Sequence, residues 1–208
     1  MTRGAIYLTR HGETEWNAQG RFQGRADSPL TERGLLQARS LAQALGPVRL
    51  DAVYASPSER TMRTAKIVRG QRGIPIIAAP PLLEIDVGAW EGLTKAEADR
   101  DYPLARRVYE EDPAAYEPPL GGETFHDVRR RVLGFWQEML QAAPGRSVLL
   151  VTHTVPLKLL LSEIEGRPLR RLWQEPFIAQ ASLSEIEVDG ERCRIRRYAD
   201  AAHLPKEP

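Results

Sequence analysis

Short apolar runs alternate with segments of helical period along most of this chain, and that alternation limits the fold more than any other feature. GAIYLTR, DAVYA, IPIIAA and SVLLVT are too short for helices, and polar or turn-forming residues follow each, the pattern of strands in a sheet. Between them LTERGLLQARSLAQALG sets Leu35, Ala38, Leu41, Ala42 and Leu45 on one face, with Thr31 as N-cap and Gly46 as stop. SPSERTMRTAKIVRG offers Ser56 as N-cap, Pro57 at the first helical position and Glu59 to complete a capping box. Thr124 and Asp127 offer a second box for a helix to about Gln141, ended by Pro144-Gly145, and VPLKLLLSEI supplies a helix after SVLLVT. QASLSEIEV and RCRIRRY, joined at Asp189-Gly190, read as a closing hairpin. The pattern predicts an α/β fold, a mainly parallel central sheet flanked by helices with GAIYLTR in its middle. Residues 80–121 lose the period and read as a lid-like insertion, from PPLLEIDVGAWEG to the Pro-rich YEPPLGG.

A chain of 208 residues with no repeat, low-complexity stretch or linker is expected to be one domain, 1–208. Its 29 Lys and Arg balance 28 Asp and Glu, so wholesale nucleic-acid binding is not expected and any positive field is local. Residues 1–10 carry only a four-residue apolar run between arginines, and no window approaches the roughly 18 apolar residues of a membrane span. The single cysteine, Cys193, excludes an intrachain disulfide framework. The expectation is a cytoplasmic protein.

Ligands of open α/β sheets bind beyond the carboxyl ends of the strands. Here Arg10 and His11 follow the first strand, Ser56 to Arg60 the second and His153 the fourth, while Glu84 lies in the first turn of the insertion. If those strands are neighbours, two arginines, two histidines and the helix N-terminal amides after Ser56 and Thr154 make a site for a tetrahedral dianion. A neutral imidazole among such cations is a competent nucleophile toward phosphorus. His11 is the candidate, with Gly12 allowing close backbone approach and an unusual φ, Arg10, Arg60 and His153 stabilising charge, and Asn17 donating to an oxygen. A carboxylic acid beside a phosphate dianion has a raised pKa, so Glu84 can protonate the leaving group and then activate water. The scheme needs neither cofactor nor metal.

RHGETEWN, SPSERTMRTA, LLEIDVGAWEG and VTHTVPLK resemble, in order and over nearly the whole chain, the four signatures of the histidine phosphatase superfamily, also called phosphoglycerate mutase-like. The resemblance implies His11 as phosphorylated nucleophile, Arg10, Arg60 and His153 as phosphate pocket, Asn17 as a further contact and Glu84 as proton donor. HTVP at 153–156 departs from the histidine and two glycines of many members, which leaves the Thr154 amide to serve the phosphate in a different turn. RFQGRADSPLTERG, IVRGQRGIPI and LRRLWQEPF are more similar to bacterial broad-specificity phosphatases than to the mutases. Arg106 and Arg107 are similar to the paired arginines with which mutases hold a carboxylate. A mutase, an alpha-ribazole phosphatase and a non-catalytic phosphate-recognising module are the alternatives to a phosphomonoester hydrolase.

Gln23 and Gly24 are expected to border the substrate mouth. Phe22, Trp90 and Trp173 could line an apolar leaving-group pocket but read first as core aromatics, His126 and His203 as solvated, and Cys193 as a packed thiol that cannot head a Cys-x5-Arg loop because Ala199 stands where the arginine is needed. Neither a Gly-x4-Gly-Lys-Ser/Thr loop nor a His-Glu-x-x-His zinc pattern occurs. The expected partners are small phosphorylated metabolites, with neither nucleic acid nor a membrane, and a homodimer is left open.

Overall fold

The computed structural model describes residues 4–142, 145–190 and 192–205. Pro144, half of the anticipated helix stop, lies outside them, as do residues 1–3. The sheet has strand order β3-β2-β4-β1-β5-β6. Four strands, β1 (Gly4–Arg10), β4 (Val148–Thr152), β2 (Ala52–Ala55) and β3 (Ile76–Ala78), run parallel, and β5 (Leu183–Asp189) and β6 (Arg192–Asp200) form an antiparallel hairpin beside β1. The sheet is thus mixed and mainly parallel. β4 is buried along its whole length, because a parallel strand covered on both faces reads as an unbroken apolar run.

Period-two alternation distributes the core. Leu149 and Val151 of β4 pack with Val53, Leu41, Leu45, Ala65 and Val68, beneath α2 (Glu32–Ala44) and α3 (Glu59–Arg69). On the other face Ile6, Leu8 and Leu150 pack with Phe125, Val128, Val132, Leu157, Leu160 and Leu161 of α6 (Phe125–Ala142) and α7 (Thr154–Glu165). The helix starts behave as expected in two cases: Thr31 Oγ1 accepts from Gly34 N (3.0 Å), and Thr124 and Asp127 form their reciprocal box (3.1 Å each way).

One element was not anticipated and one expectation fails. Glu15–Ala18 forms a one-turn helix, α1, capped by Thr14 with the Asn17 side chain reaching back. α3 begins at Glu59 rather than Pro57; Ser58, not Ser56, is its N-cap residue, and no side chain of its own caps it. The cap comes from another loop: Asp27 Oδ2 accepts from the Glu59 amide at 2.8 Å. That exchange frees the serine hydroxyls for a different task.

Residues 80–121 contain 3-10 turns at Pro80–Leu82, Gly88–Trp90 and Pro113–Ala115, with α4 (Lys95–Asp101) and α5 (Pro103–Glu111) between. The segment is packed into the body: Trp90 and Tyr116 are buried in the same core as Phe125. It forms one wall of a cleft at the carboxyl ends of β1 and β4.

Candidate active site

β1 and β4 are neighbours with Arg10 opposite Thr152, and the ladder continues one step as the His11 amide donates to the Thr152 carbonyl at 3.0 Å. His11 and His153 therefore leave adjacent strand ends side by side, ring centroids 5.2 Å apart. β2 lies on the far side of β4, and the Ser56 amide donates to Val151 O at 3.0 Å, which brings Ser56 alongside His153. The sheet order thus makes one mouth of three distant sequence positions.

Both imidazoles are buried. His11 Nδ1 lies 2.7 Å from the Gly12 carbonyl, which can only accept, so that nitrogen carries the proton and Nε2 keeps a lone pair. Burial, then the Arg10 and Arg60 charges, hold its pKa well below the usual range, so the ring is neutral at pH 7. His153 is likewise pushed well down by burial and by Arg60, His11 and Arg10. Its Nε2 lies 2.8 Å from Ser56 Oγ and 3.2 Å from Ser58 Oγ, while Nδ1 has no partner.

Gly12 does provide close approach, but to the protein's own backbone. A Cβ there would sit 2.4 Å from Gly34 O, and one on Gly34 would sit 2.0 Å from Glu13 O, so the loop after β1 lies backbone against backbone on α2. Its φ is not positive. The Gly12 amide donates to Thr64 Oγ1 on α3 at 3.1 Å.

Arg60, only 1 % exposed, is held by the loop at 24–27: Nη1 donates to Asp27 Oδ1 (2.6 Å) and Ala26 O (2.9 Å), and Nη2 to Gly24 O (2.8 Å). Arg10 Nη1 donates to Ile178 O at 3.2 Å, and burial lowers its pKa to about 10. Arg10 Nε, Arg60 Nε and His153 Nδ1 are buried without a partner, a donor set that suits an anion rather than a cation.

Glu84 is buried and occupies the N-terminus of α7. Oε2 accepts from the Thr154 amide (3.0 Å), and Oε1 from Val155 (3.2 Å) and from its own neighbour Ile85 (2.9 Å). Burial raises its pKa, while those amide bonds and the two arginines pull the other way without cancelling the rise. The amide expected to reach an anion from Thr154 therefore serves the carboxylate instead.

The cleft encloses about 650 Å³. Arg10, His11, Asn17, Gln23, Glu84 and Thr154 line it, and Phe22, Tyr109, Trp173 and Phe177 form aromatic walls. Arg60 and His153 sit below that lining, and Gly24 does not reach it, since its amide donates to Glu91 Oε1 at 2.8 Å and its carbonyl serves Arg60. Asn17 Oδ1 accepts from the Thr14 amide (3.3 Å), and Gln23 bridges Thr14 Oγ1 (2.8 Å) and Ser28 Oγ (3.0 Å). Arg106 lines the cleft but is paired with Asp99 (2.9 Å) and Glu110 (2.6 Å), and Arg107 points away toward Glu111. Phe22 and Trp173 border the cleft and also contact core, Trp90 is core alone, and His126 and His203 each bond a backbone carbonyl.

Sequence reasoning missed Asp27, the cleft-lining Gln180 and the histidine-bonding use of Ser56 and Ser58. Asp27 had a signal, an acidic residue just before the α2 cap in RADSPLT, but its partner lies 33 residues away and only the fold joins them.

The chain is similar to known proteins in sequence and in fold. The chain aligns with the solved structure of Bacillus stearothermophilus YhfR at 42 % identity and a TM-score of 0.94, covering 97 % of this chain and all of that one. It is 36 % identical over 199 residues to phosphoserine phosphatase 1 of Hydrogenobacter thermophilus, covering 96 % of the chain and 93 % of that protein. It is 37 % identical over 166 residues to a Cronobacter sakazakii protein named Probable phosphoglycerate mutase GpmB, covering 78 % of the chain and 75 % of that protein. The family model of the histidine phosphatase superfamily, branch 1, matches residues 6–201, and with a neutral histidine, two arginines and a buried glutamate at the cleft, the chain belongs to that superfamily and is a phosphatase of the histidine type.

Proposed function

We propose that this phosphatase is a metal-independent phosphomonoester hydrolase of small metabolites, one cytoplasmic domain working by double displacement at His11. The observation that carries the reading is the 2.7 Å contact of His11 Nδ1 with the Gly12 carbonyl, which leaves the Nε2 lone pair free. That lone pair attacks phosphorus, an N–P bond forms as the ester P–O bond breaks, and Glu84 gives its proton to the departing oxygen. Water then attacks phosphorus, Glu84 takes the water's proton, and the N–P bond breaks to restore the neutral ring and release inorganic phosphate. Arg10, Arg60 and His153 spread the equatorial charge. Asn17 would need to release Thr14 or use its amide nitrogen to contribute.

Trapping tests the chemistry directly. Quenched during turnover of p-nitrophenyl phosphate, the protein should carry an acid-labile, alkali-stable phosphoryl group on the His11 peptide, and His11→Ala should lose both adduct and turnover. Full activity of His11→Ala would sink the proposal.

The mutase reading is weaker because the two arginines do not act as a pair: Arg106 is neutralised by Asp99 and Glu110, and Arg107 is exposed. Product analysis with 3-phosphoglycerate, with and without 2,3-bisphosphoglycerate, separates the two, since a mutase gives primer-dependent 2-phosphoglycerate and a hydrolase gives phosphate.

A further inference from the structure

Glu84 stands at the end of an irregular stretch that no strand ladder fixes, yet general acid catalysis needs its carboxyl placed to within a fraction of an ångström. Side chains supply the missing order. The carbonyls of four consecutive residues, Pro81 to Glu84, all accept from them: Thr152 Oγ1 donates to Leu82 O at 2.7 Å, and Arg131 of α6 takes the other three. Its Nη1 donates to Pro81 O (2.6 Å) and Leu83 O (2.7 Å), and its Nη2 to Glu84 O (3.0 Å).

A planar guanidinium with five donors suits this task, and a lysine would not, having one nitrogen for three carbonyls and a carboxylate. The remaining edge of Arg131 meets Glu123 in a two-pronged pair, 2.9 Å at each prong. Glu123 in turn accepts from the Asp86 amide (3.0 Å) and from Arg25 Nη2 (3.0 Å). Burial alone would raise the Glu123 pKa, but the bonds and charge of Arg131 outweigh it, so the pair is ionic. The backbone is thereby gripped on both sides of Glu84, at 81–84 by Arg131 and at 86 by Glu123. The Arg25 amide also shares Glu91 with that of Gly24, whose carbonyl holds Arg60.

We propose that the Arg131–Glu123 pair is the positioning device of the reaction, which fixes the backbone carrying Glu84 so that its carboxyl stays in reach of the leaving oxygen. The pair touches no substrate. The inference rests on Glu84 being the acid, and the test separates failure of that reading from failure of this one.

The experiment compares kcat/KM, which reports phosphorylation of His11, for p-nitrophenyl phosphate and n-propyl phosphate in Glu84→Gln, Arg131→Met, Arg131→Lys and Glu123→Gln. Nitrophenolate leaves without a proton and propoxide does not, so a misplaced acid costs propyl phosphate more. Arg131→Met and Glu123→Gln should lose about tenfold or more on propyl phosphate beyond their loss on nitrophenyl phosphate, in line with about a hundredfold for a 1 Å displacement. Arg131→Lys should recover only part, and Arg131→Met added to Glu84→Gln should bring no further selectivity.

Equal losses on both substrates in Arg131→Met and Glu123→Gln, with selective loss in Glu84→Gln, would overturn the positioning role and leave the acid standing. Equal losses in Glu84→Gln would remove the acid and this inference with it. If Arg131→Met does not fold, Glu123→Gln carries the test, because it leaves the bonds of Arg131 to the 81–84 carbonyls in place while it breaks the two-pronged pair and removes the carboxylate charge facing Arg25.

Discussion

At the residue scale, the site is built by giving each charged group a fixed partner outside the anion pocket. Asp27 shows the consequence, since one carboxylate caps α3 and also holds the Arg60 guanidinium at 2.6 Å. Asp27→Ala removes both functions. The lost cap costs about 1 kcal/mol of stability, and the freed arginine should lower kcat/KM by roughly tenfold to a hundredfold, as expected for a misdirected charge-stabilising group. In the proposed mechanism Arg60 acts on the phosphoryl group and not on the leaving oxygen, so nitrophenyl and alkyl phosphates should suffer alike. A loss confined to alkyl phosphates would mean that Asp27 acts on the acid and that its bond to Arg60 is incidental.

At the element scale, the strands and helix faces were legible because each obeys one period: β4 as an unbroken apolar run, α2 as a stripe ending in Leu45. That His11, His153, Arg10 and Glu84 come together at one end of the sheet was legible too, since each follows a strand end or a turn. What was not legible is contact between loops distant in sequence. Ser56 reads as a cap by local rules, but Asp27 arrives in space and displaces it, and nothing in SPSERT announces that. The glycines test how far such contacts fix the elements. Gly34→Ala would place a Cβ 2.0 Å from Glu13 O, backbone against backbone, with nothing flexible to yield. It should cost about 2 kcal/mol or more and drag the His11 loop, lowering activity as well. Gly134→Ala, in the middle of α6 with nothing within 4 Å of the added carbon, should stabilise by up to about 1 kcal/mol and leave turnover intact. Urea midpoints and kcat for the two variants check both signs, and an innocuous Gly34→Ala would show that the loop and α2 can part without consequence.

At the scale of the whole molecule, folding must bury two imidazoles and two guanidiniums at one end of the sheet, and acid exposes the cost. The unfolded chain protonates His11 and His153 near the ordinary value of 6.5, whereas burial and the neighbouring arginines hold both well below it in the folded state. The unfolded state therefore binds more protons as pH falls, so stability that is fully present above about 6.5 is lost on acidification. The loss falls in the window below the ordinary histidine value, as the unfolded chain takes up protons that the folded rings refuse. Glu84 opposes them: its pKa is raised above 4.5, so the folded state holds its proton more tightly and gains on acidification. The net fall in the native protein is accordingly smaller than the two histidines alone would give. Replacing both by glutamine should flatten the fall in urea midpoint between pH ~7.5 and ~5.5, because the two rings no longer take up protons on unfolding. If native protein and the double variant lose stability in parallel, the two rings titrate alike in the folded and unfolded states, and burial beside the arginines does not hold them below the ordinary histidine value.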